Sequence, residues 1–289
     1  MTYSIIGRDP ACGELGIAVQ SKFPGVGSIV AHARADAGAI TTQAFANPDH
    51  GHRGLDLLGL GATADETLAA LLRGDPQRDQ RQIAVMSLDG PAAAHTGAEV
   101  LAWDGWSGSA LAGDAVASGN TLSGEAVVCA MIDAFEAGVG ELSRRLLQAL
   151  AAGRDAGGEL RGQQSAALLV VKPGGGYGGR DGRHVDVSVY DHPEPIDELA
   201  RCYELHRLSY FPSHASDLVP IDEAIAIELK DVLAAAGFRT LPAGGSWDEA
   251  CIAAMARFMG VENYDNRIRD DTLIDLEVLA DIRRRRAGR

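Results

Sequence analysis

Apolar and polar positions alternate at the very start of the chain. Tyr3 and Ile5 fall on one face and Ser4 and Ile6 on the other, which predicts a strand over residues 2–8. Asp9-Pro10-Ala11-Cys12-Gly13-Glu14 is turn chemistry, because Pro fixes one dihedral and Gly permits a positive one. Residues 15–22 alternate again, with Leu15, Ile17 and Val19 against Gly16, Ala18 and Gln20. The chain thus opens with a β-hairpin. A turn centred on Ala11 and Cys12 sets Arg8 opposite Leu15 and Thr2 opposite Ser21, with Lys22 next door. Further strands are predicted at residues 29–34 and 38–43, at 83–88 and 92–96 around the tight turn Asp89-Gly90, at 115–119, and at 165–171 and 184–190.

Helical spacing interrupts this pattern. Thr63-Ala64-Asp65-Glu66 is a capping box ahead of Leu68, Leu71 and Leu72. Val127, Val128, Met131, Ile132 and Phe135 form one apolar stripe, and Leu142, Leu146, Leu147 and Leu150 form another. Pro195 suits the first turn of a helix reaching about Tyr210. Helix pairs set between hairpins predict an α+β domain over residues 1–213. In it, two mainly antiparallel sheets pack face to face with helices outside both. After Phe211-Pro212-Ser213-His214-Ala215-Ser216 the pattern is helical only, with Pro220 opening one helix and Ser246-Trp247-Asp248-Glu249 capping the next. Ile274, Val278, Leu279 and Ile282 mark a last helix. Residues 214–289 are therefore expected to form a small all-α domain.

A net charge of −14 repels phosphate backbones and argues against nucleic acid as a partner. The run Arg283-Arg284-Arg285-Arg286 reads best as a solvated helix end. Cys12, Cys129, Cys202 and Cys251 are too dispersed for structural zinc or a disulfide framework, so reduced thiols are expected. The first residues lack the basic and apolar regions of a signal peptide, and no apolar run has the ~18 residues of a membrane span. The expectation is a cytoplasmic chain without membrane contact, preceded at Thr2 by Met1 alone.

That expectation gives Thr2 its interest. A threonine hydroxyl needs an adjacent base to act as a nucleophile, and at an N-terminus its own α-amine can serve. Thr2 is small enough to permit removal of Met1, although many ordinary chains also begin Met-Thr. Lys22, if beside it, would lower the pKa of hydroxyl and amine; the plainer reading is a surface lysine at a strand end. Ser21 lies opposite. Gln43, Asn47 and Asn120 sit at predicted strand ends, where side-chain amides can stabilise an oxyanion or bind substrate; turn formation explains each as well. His50 and His52 would share a face in a strand, as a metal site requires, but no further ligand accompanies them at a diagnostic spacing. Pro173-Gly174-Gly175-Gly176-Tyr177-Gly178-Gly179 lacks a phosphate-binding pattern and reads as a flexible hairpin or substrate-side lid.

Several stretches resemble one bacterial family, catalogued as domain of unknown function 1028 and placed among the N-terminal-nucleophile hydrolases. They are Thr2-Tyr3-Ser4-Ile5-Ile6-Gly7-Arg8-Asp9, Gly13 through Phe23, Thr42-Gln43-Ala44-Phe45-Ala46-Asn47-Pro48, Arg161 through Val171 and Val185 through Pro193. The resemblance implies a four-layer αββα sandwich and hydrolysis of an amide-type C–N bond, with the nucleophile on Thr2. It also likens Lys22 to the strand-end lysine of the proteasome. Trp247-Asp248, Gly260-Val261-Glu262-Asn263-Tyr264 and Ile274-Asp275 resemble a small helical module described as peptidoglycan-binding. The resulting expectation is a small-molecule amidohydrolase that needs no cofactor and no metal. Thr2, Lys22 and Asn120 are its catalytic residues, Ser21, Gln43 and Asn47 contact its substrate, and a homo-oligomer is compatible. The rivals are a catalytically silent protein binding a glycan or protein partner, and a metal hydrolase using His50 and His52.

Overall fold

The structure, a computed structural model, describes residues 2–238 and 244–287. Met1, whose removal the expected role of Thr2 would require, lies outside the described residues. Two compact units divide between Cys202 and Tyr203, inside a helix.

The first unit runs β1 (Thr2–Asp9), β2 (Glu14–Ser21), α1 (Gly27–Val30), β3 (Ala31–Arg34), β4 (Gly38–Ala44), α2 (Pro48–Gly59) and α3 (Ala64–Arg73). It continues through β5 (Arg81–Ser87), β6 (Ala93–Thr96), α4 (Ala98–Leu101), β7 (Trp106–Ala112), β8 (Ala115–Leu122), α5 (Ala126–Ala137) and α6 (Leu142–Asp155). β9 (Ser165–Val171), β10 (Arg183–Val189) and α7 (Pro195–Tyr210) follow. The strands form a six-stranded sheet, β10-β9-β2-β1-β8-β7, and a four-stranded sheet, β3-β4-β5-β6. Neighbours pair antiparallel throughout. The opening hairpin has the register its turn predicts, with Thr2 opposite Ser21 and Arg8 opposite Leu15.

Strand alternation builds the layers. Ile6, Leu15, Ile17 and Val116 of the large sheet meet Ala39, Ala84 and Met86 of the small one in an inter-sheet core. Ile40, Ile83 and Val85 face the other way, onto Leu55, Leu58 and Leu68 of α2 and α3. Helices α5 and α6 cover the outside of the large sheet. Glycine lets them close down: a Cβ on Gly7 would lie 2.4 Å from the Phe135 ring, and one on Gly16 would lie 2.7 Å from Leu146. The result is helices, sheet, sheet, helices.

Several elements differ from expectation, among them a short helix α1 at Gly27–Val30 where a strand from Ile29 was expected. Residues 48–59 form α2 rather than a loop or strand, because Asn47 caps them and Pro48 starts them. Strand β7, rich in small residues, carries no apolar alternation strong enough to read. Strand β8 runs three residues further than predicted, to Leu122.

The second unit holds α8 (Glu223–Ala235), α9 (Glu249–Val261) and α10 (Leu276–Ala287) around Leu229, Leu233, Met255, Phe258, Val278 and Ile282. It also carries a two-stranded sheet that the helical pattern concealed, β11 (Leu218–Pro220) against β12 (Leu273–Asp275). Pro220 therefore ends a strand, and Asp222 starts α8 by accepting from the Ile225 N–H at 2.9 Å. Arg283, Arg284, Arg285 and Arg286 pair with Glu228, Asp281, Glu262 and Asp231, as a solvated helix end should. Among the described residues no helix is long and apolar enough to cross a membrane.

Candidate active site

The inter-sheet layer changes character along its length. Positions that carry Ile6 on β1, Val116 on β8, Ala84 on β5 and Ala39 on β4 continue in the same alternation to Ser4 and Thr2, Ser118 and Asn120, Gln82, and Thr41 and Gln43. Apolar packing at one end thus becomes a buried polar layer at the other. Buried amides without partners would each cost ~1–3 kcal/mol, so this layer is stable only as a satisfied network.

Its amides and the hydroxyls of Thr2 and Ser4 form such a network, while Thr41 Oγ1 has no hydrogen-bond partner among the described residues. The Thr2 N–H donates to Asn120 Oδ1 at 3.1 Å, and Thr2 Oγ1 donates to Ser21 Oγ at 3.0 Å. Asn120 Nδ2 and Gln43 Nε2 both donate to Gln82 Oε1 at 2.8 Å. Gln82 Nε2 in turn faces Gly119 O at 2.8 Å, Thr96 Oγ1 at 3.0 Å and Gly108 O at 3.2 Å. Ser4 Oγ donates to Gln43 Oε1 at 2.8 Å. Thr2 is 4% exposed; Gln82 and Asn120 are wholly buried.

Two strand ends beside this layer hold left-handed backbone at residues other than glycine. Ala44 has φ 68°, directly after Gln43, and Thr121 has φ 56°, directly after Asn120. A β-branched residue pays on the order of 1–3 kcal/mol for that conformation. Both positions re-aim a strand just past an amide of the network.

Of the expected site residues, Thr2, Ser21, Asn120 and Gln43 come together. Gln43 gives both ends of its amide to the layer, accepting from Ser4 Oγ and donating to Gln82 Oε1. Lys22 is adjacent in sequence, but strand alternation points it to the face opposite Ser21. Its side chain is exposed, and Nζ donates to Gln163 O at 3.1 Å. Its main-chain N–H reaches the buried carboxylate of Glu159 at 2.9 Å. Burial pushes the Glu159 carboxyl up, against the hydrogen bonds from Lys22 and Arg161.

Asn47 is a helix cap, its Oδ1 accepting from the Asp49 N–H at 3.2 Å. Asn47→Ala should therefore cost about 1 kcal/mol in urea unfolding while leaving Thr2 chemistry intact. A large loss of Thr2 reactivity without a stability change would instead give Asn47 a binding role.

The histidine pair does not share a face. On helix α2, His50 is buried against Asp75, with Nε2 3.2 Å from Oδ2, while His52 is exposed and meets the His32 ring edge-on. Burial pushes the His50 pKa down, and Arg81 holds the Asp75 carboxyl below its usual range. No cluster of three metal-ligating side chains exists among the described residues. The glycine-rich segment is the connection of the β9–β10 hairpin, as one of its two readings had it, and not a lid beside Thr2. β9 pairs Ser165 with Ser21 and Val171 with Leu15, so residues 174–179 follow the strand end far from Thr2. Gln82 is the residue of this layer that sequence reading missed. Its only signal was a polar residue on the alternation of Ala84 and Met86.

The family profile described as "Family of unknown function (DUF1028)" matches residues 2–199, and one described as "Putative peptidoglycan binding domain" matches residues 211–281. The crystal structure of protein SPO2555 from Silicibacter pomeroyi, assigned to the same DUF1028 family, is 33% identical with a TM-score of 0.65. The match covers 71% of this chain and 86% of that one. No curated protein matches. With a profile spanning most of the sandwich and a relative of like sequence and shape, the chain belongs to the DUF1028 family.

Proposed function

We propose that the chain is an N-terminal-nucleophile amidohydrolase acting on a small-molecule amide, with Thr2 as nucleophile once Met1 is removed. One observation carries the reading: Thr2 stands at the polar end of the inter-sheet layer with its nitrogen on Asn120 and its hydroxyl on Ser21. The nitrogen seen here is a peptide N–H; in the processed protein the same atom is the α-amine.

Thr2 Oγ1 attacks the amide carbonyl, and its proton passes to the α-amine. The unperturbed amine pKa of about 7.7–8.0 leaves roughly a tenth of it neutral at pH 7. The oxyanion takes main-chain N–H donors and the Nδ2 hydrogen of Asn120 not committed to Gln82. The C–N bond breaks as the ammonium returns its proton to the leaving nitrogen. Water then attacks the Thr2 ester and gives its proton to the amine, which passes it to the departing Oγ1, releasing the acid and restoring the free hydroxyl and amine. Incubation of protein beginning at Thr2 with an amide and lactam library, followed by intact mass, tests this. An acyl adduct on Thr2 is expected, and adducts only elsewhere would overturn it.

The second reading is a silent binding protein. It draws on the low exposure of Thr2 and on the peptidoglycan-binding description of the second profile. Met1 retained in the intact mass of native protein would favour it.

A further inference from the structure

The polar layer has a direction, and two main-chain carbonyls set it. Side-chain amides look symmetric, so each orientation must be read from partners that cannot reverse roles. Gly119 O and Gly108 O are such partners, since a carbonyl only accepts. Both face the same end of the Gln82 amide, at 2.8 and 3.2 Å. That end must be Nε2. The other end is then Oε1, an acceptor, and whatever faces it must donate. Asn120 and Gln43 both do so at 2.8 Å. Asn120 thereby presents Nδ2 to Gln82 and Oδ1 to Thr2 N. Polarity propagates from two backbone carbonyls, through Gln82 and Asn120, to the nitrogen of residue 2.

We infer that Gln82 is a positioning residue that fixes which end of Asn120 meets the Thr2 amine. The inference rests on the reading of Thr2 as an N-terminal nucleophile. Its consequence is specific. With Oδ1 facing it, the amine donates a hydrogen to Asn120 and keeps its lone pair for the proton of Oγ1. Were Asn120 to flip, Nδ2 would donate into that lone pair, which occupies the base and disfavours the ammonium. Apolar replacement of Gln82 removes the acceptor that forbids the flip.

The α-amine can be titrated without any substrate. Protein released with Thr2 as its first residue is treated with cyanate across pH, and carbamoylation of residue 2 is followed by mass spectrometry. Gln82→Met is expected to lower the midpoint by about one pH unit relative to the unsubstituted protein. Asn120→Asp, which places a carboxylate against the amine and can only accept, is expected to raise it. The pair moves one midpoint in opposite directions, an outcome that general loosening of the fold would not produce. If Gln82→Met fails to fold, Thr96→Val is measured in its place; it frees one of the three acceptors of Gln82 Nε2 and should shift the midpoint little, by less than a third of a unit. A larger shift there, or an unchanged midpoint in folded Gln82→Met, overturns the inference. Absence of hydrolysis alongside the predicted midpoints would sink the amidohydrolase reading and leave the orientation of Asn120 standing.

Discussion

Thr2→Ala, in protein that begins at residue 2, is expected to abolish hydrolysis, with a loss on the order of 10⁴-fold or more. The substitution removes Oγ1 and nothing else of the proposed machinery. The α-amine, its bond to Asn120 and the network behind Asn120 persist. Ser21 Oγ loses one donor, which costs about 1 kcal/mol at most and leaves the hairpin paired. The loss should therefore appear in rate with little change in melting temperature. Thr2→Ser restores a hydroxyl at the same position and should recover part of the rate, the difference reporting how firmly the threonine methyl holds its rotamer. The measurement is steady-state hydrolysis of whichever amide leaves an adduct on Thr2. Full activity in Thr2→Ala would end the proposal.

The chain declares its layers more openly than its site. The register of the first hairpin follows from the position of its turn, because alternation over eight residues on each side tolerates no slip: moving by one would put Ile6 and Ile17 on the helix-facing side, where Gly7 and Gly16 are needed. The apolar stripes of α5 and α6 are equally plain. Helix α2 was hidden because Gly51 and Gly54 weaken its helical signature. Both glycines are close-approach positions; a Cβ would lie 2.1 Å from the His32 ring at one and 2.2 Å from Ile40 at the other. Tertiary packing chose residues that local propensity disfavours. The candidate site was legible at Thr2, Ser21 and Asn120, where each sits at the end of a strand predicted from the sequence. Lys22 misled because sequence adjacency to Ser21 says nothing about face. Gln82 was invisible because its role is relational: a glutamine in a strand becomes a hub only when Gln43 and Asn120, 39 and 38 residues away, converge on one of its oxygens.

Arg267→Ala is expected to cost the second unit about 3–5 kcal/mol, the largest stability effect predicted for this chain. Arg267 is 2% exposed, in a core otherwise made of Leu229, Phe258, Ile274 and their neighbours. A guanidinium survives there because each of its three nitrogens has an acceptor. Nη1 meets Asp275 at 2.7 Å and Glu277 at 2.8 Å, Nε donates to Phe211 O at 3.0 Å, and Nη2 donates to Arg207 O at 3.1 Å. Glu277 is shared with Arg207 at 2.6 Å. Truncation takes the guanidinium from the buried Asp275 and leaves the main-chain N–H groups of Glu277 and Val278 holding its charge. Acid should reveal the cause. Burial pushes the Asp275 and Glu277 carboxyls up, but the arginines and hydrogen bonds outweigh it and hold both below the usual carboxylate range. A depressed folded pKa contributes stability above the unfolded value of about 4 and loses it as pH falls through the folded one. The parent protein should therefore lose stability below about pH 4. In Arg267→Ala the stranded Asp275 is relieved by protonation instead, so the gap between variant and parent should narrow from pH 7 to pH 4. Thermal unfolding at the two pH values measures that gap, and a gap that stays constant would mean that packing of the arginine stem, rather than its charge, supports this core.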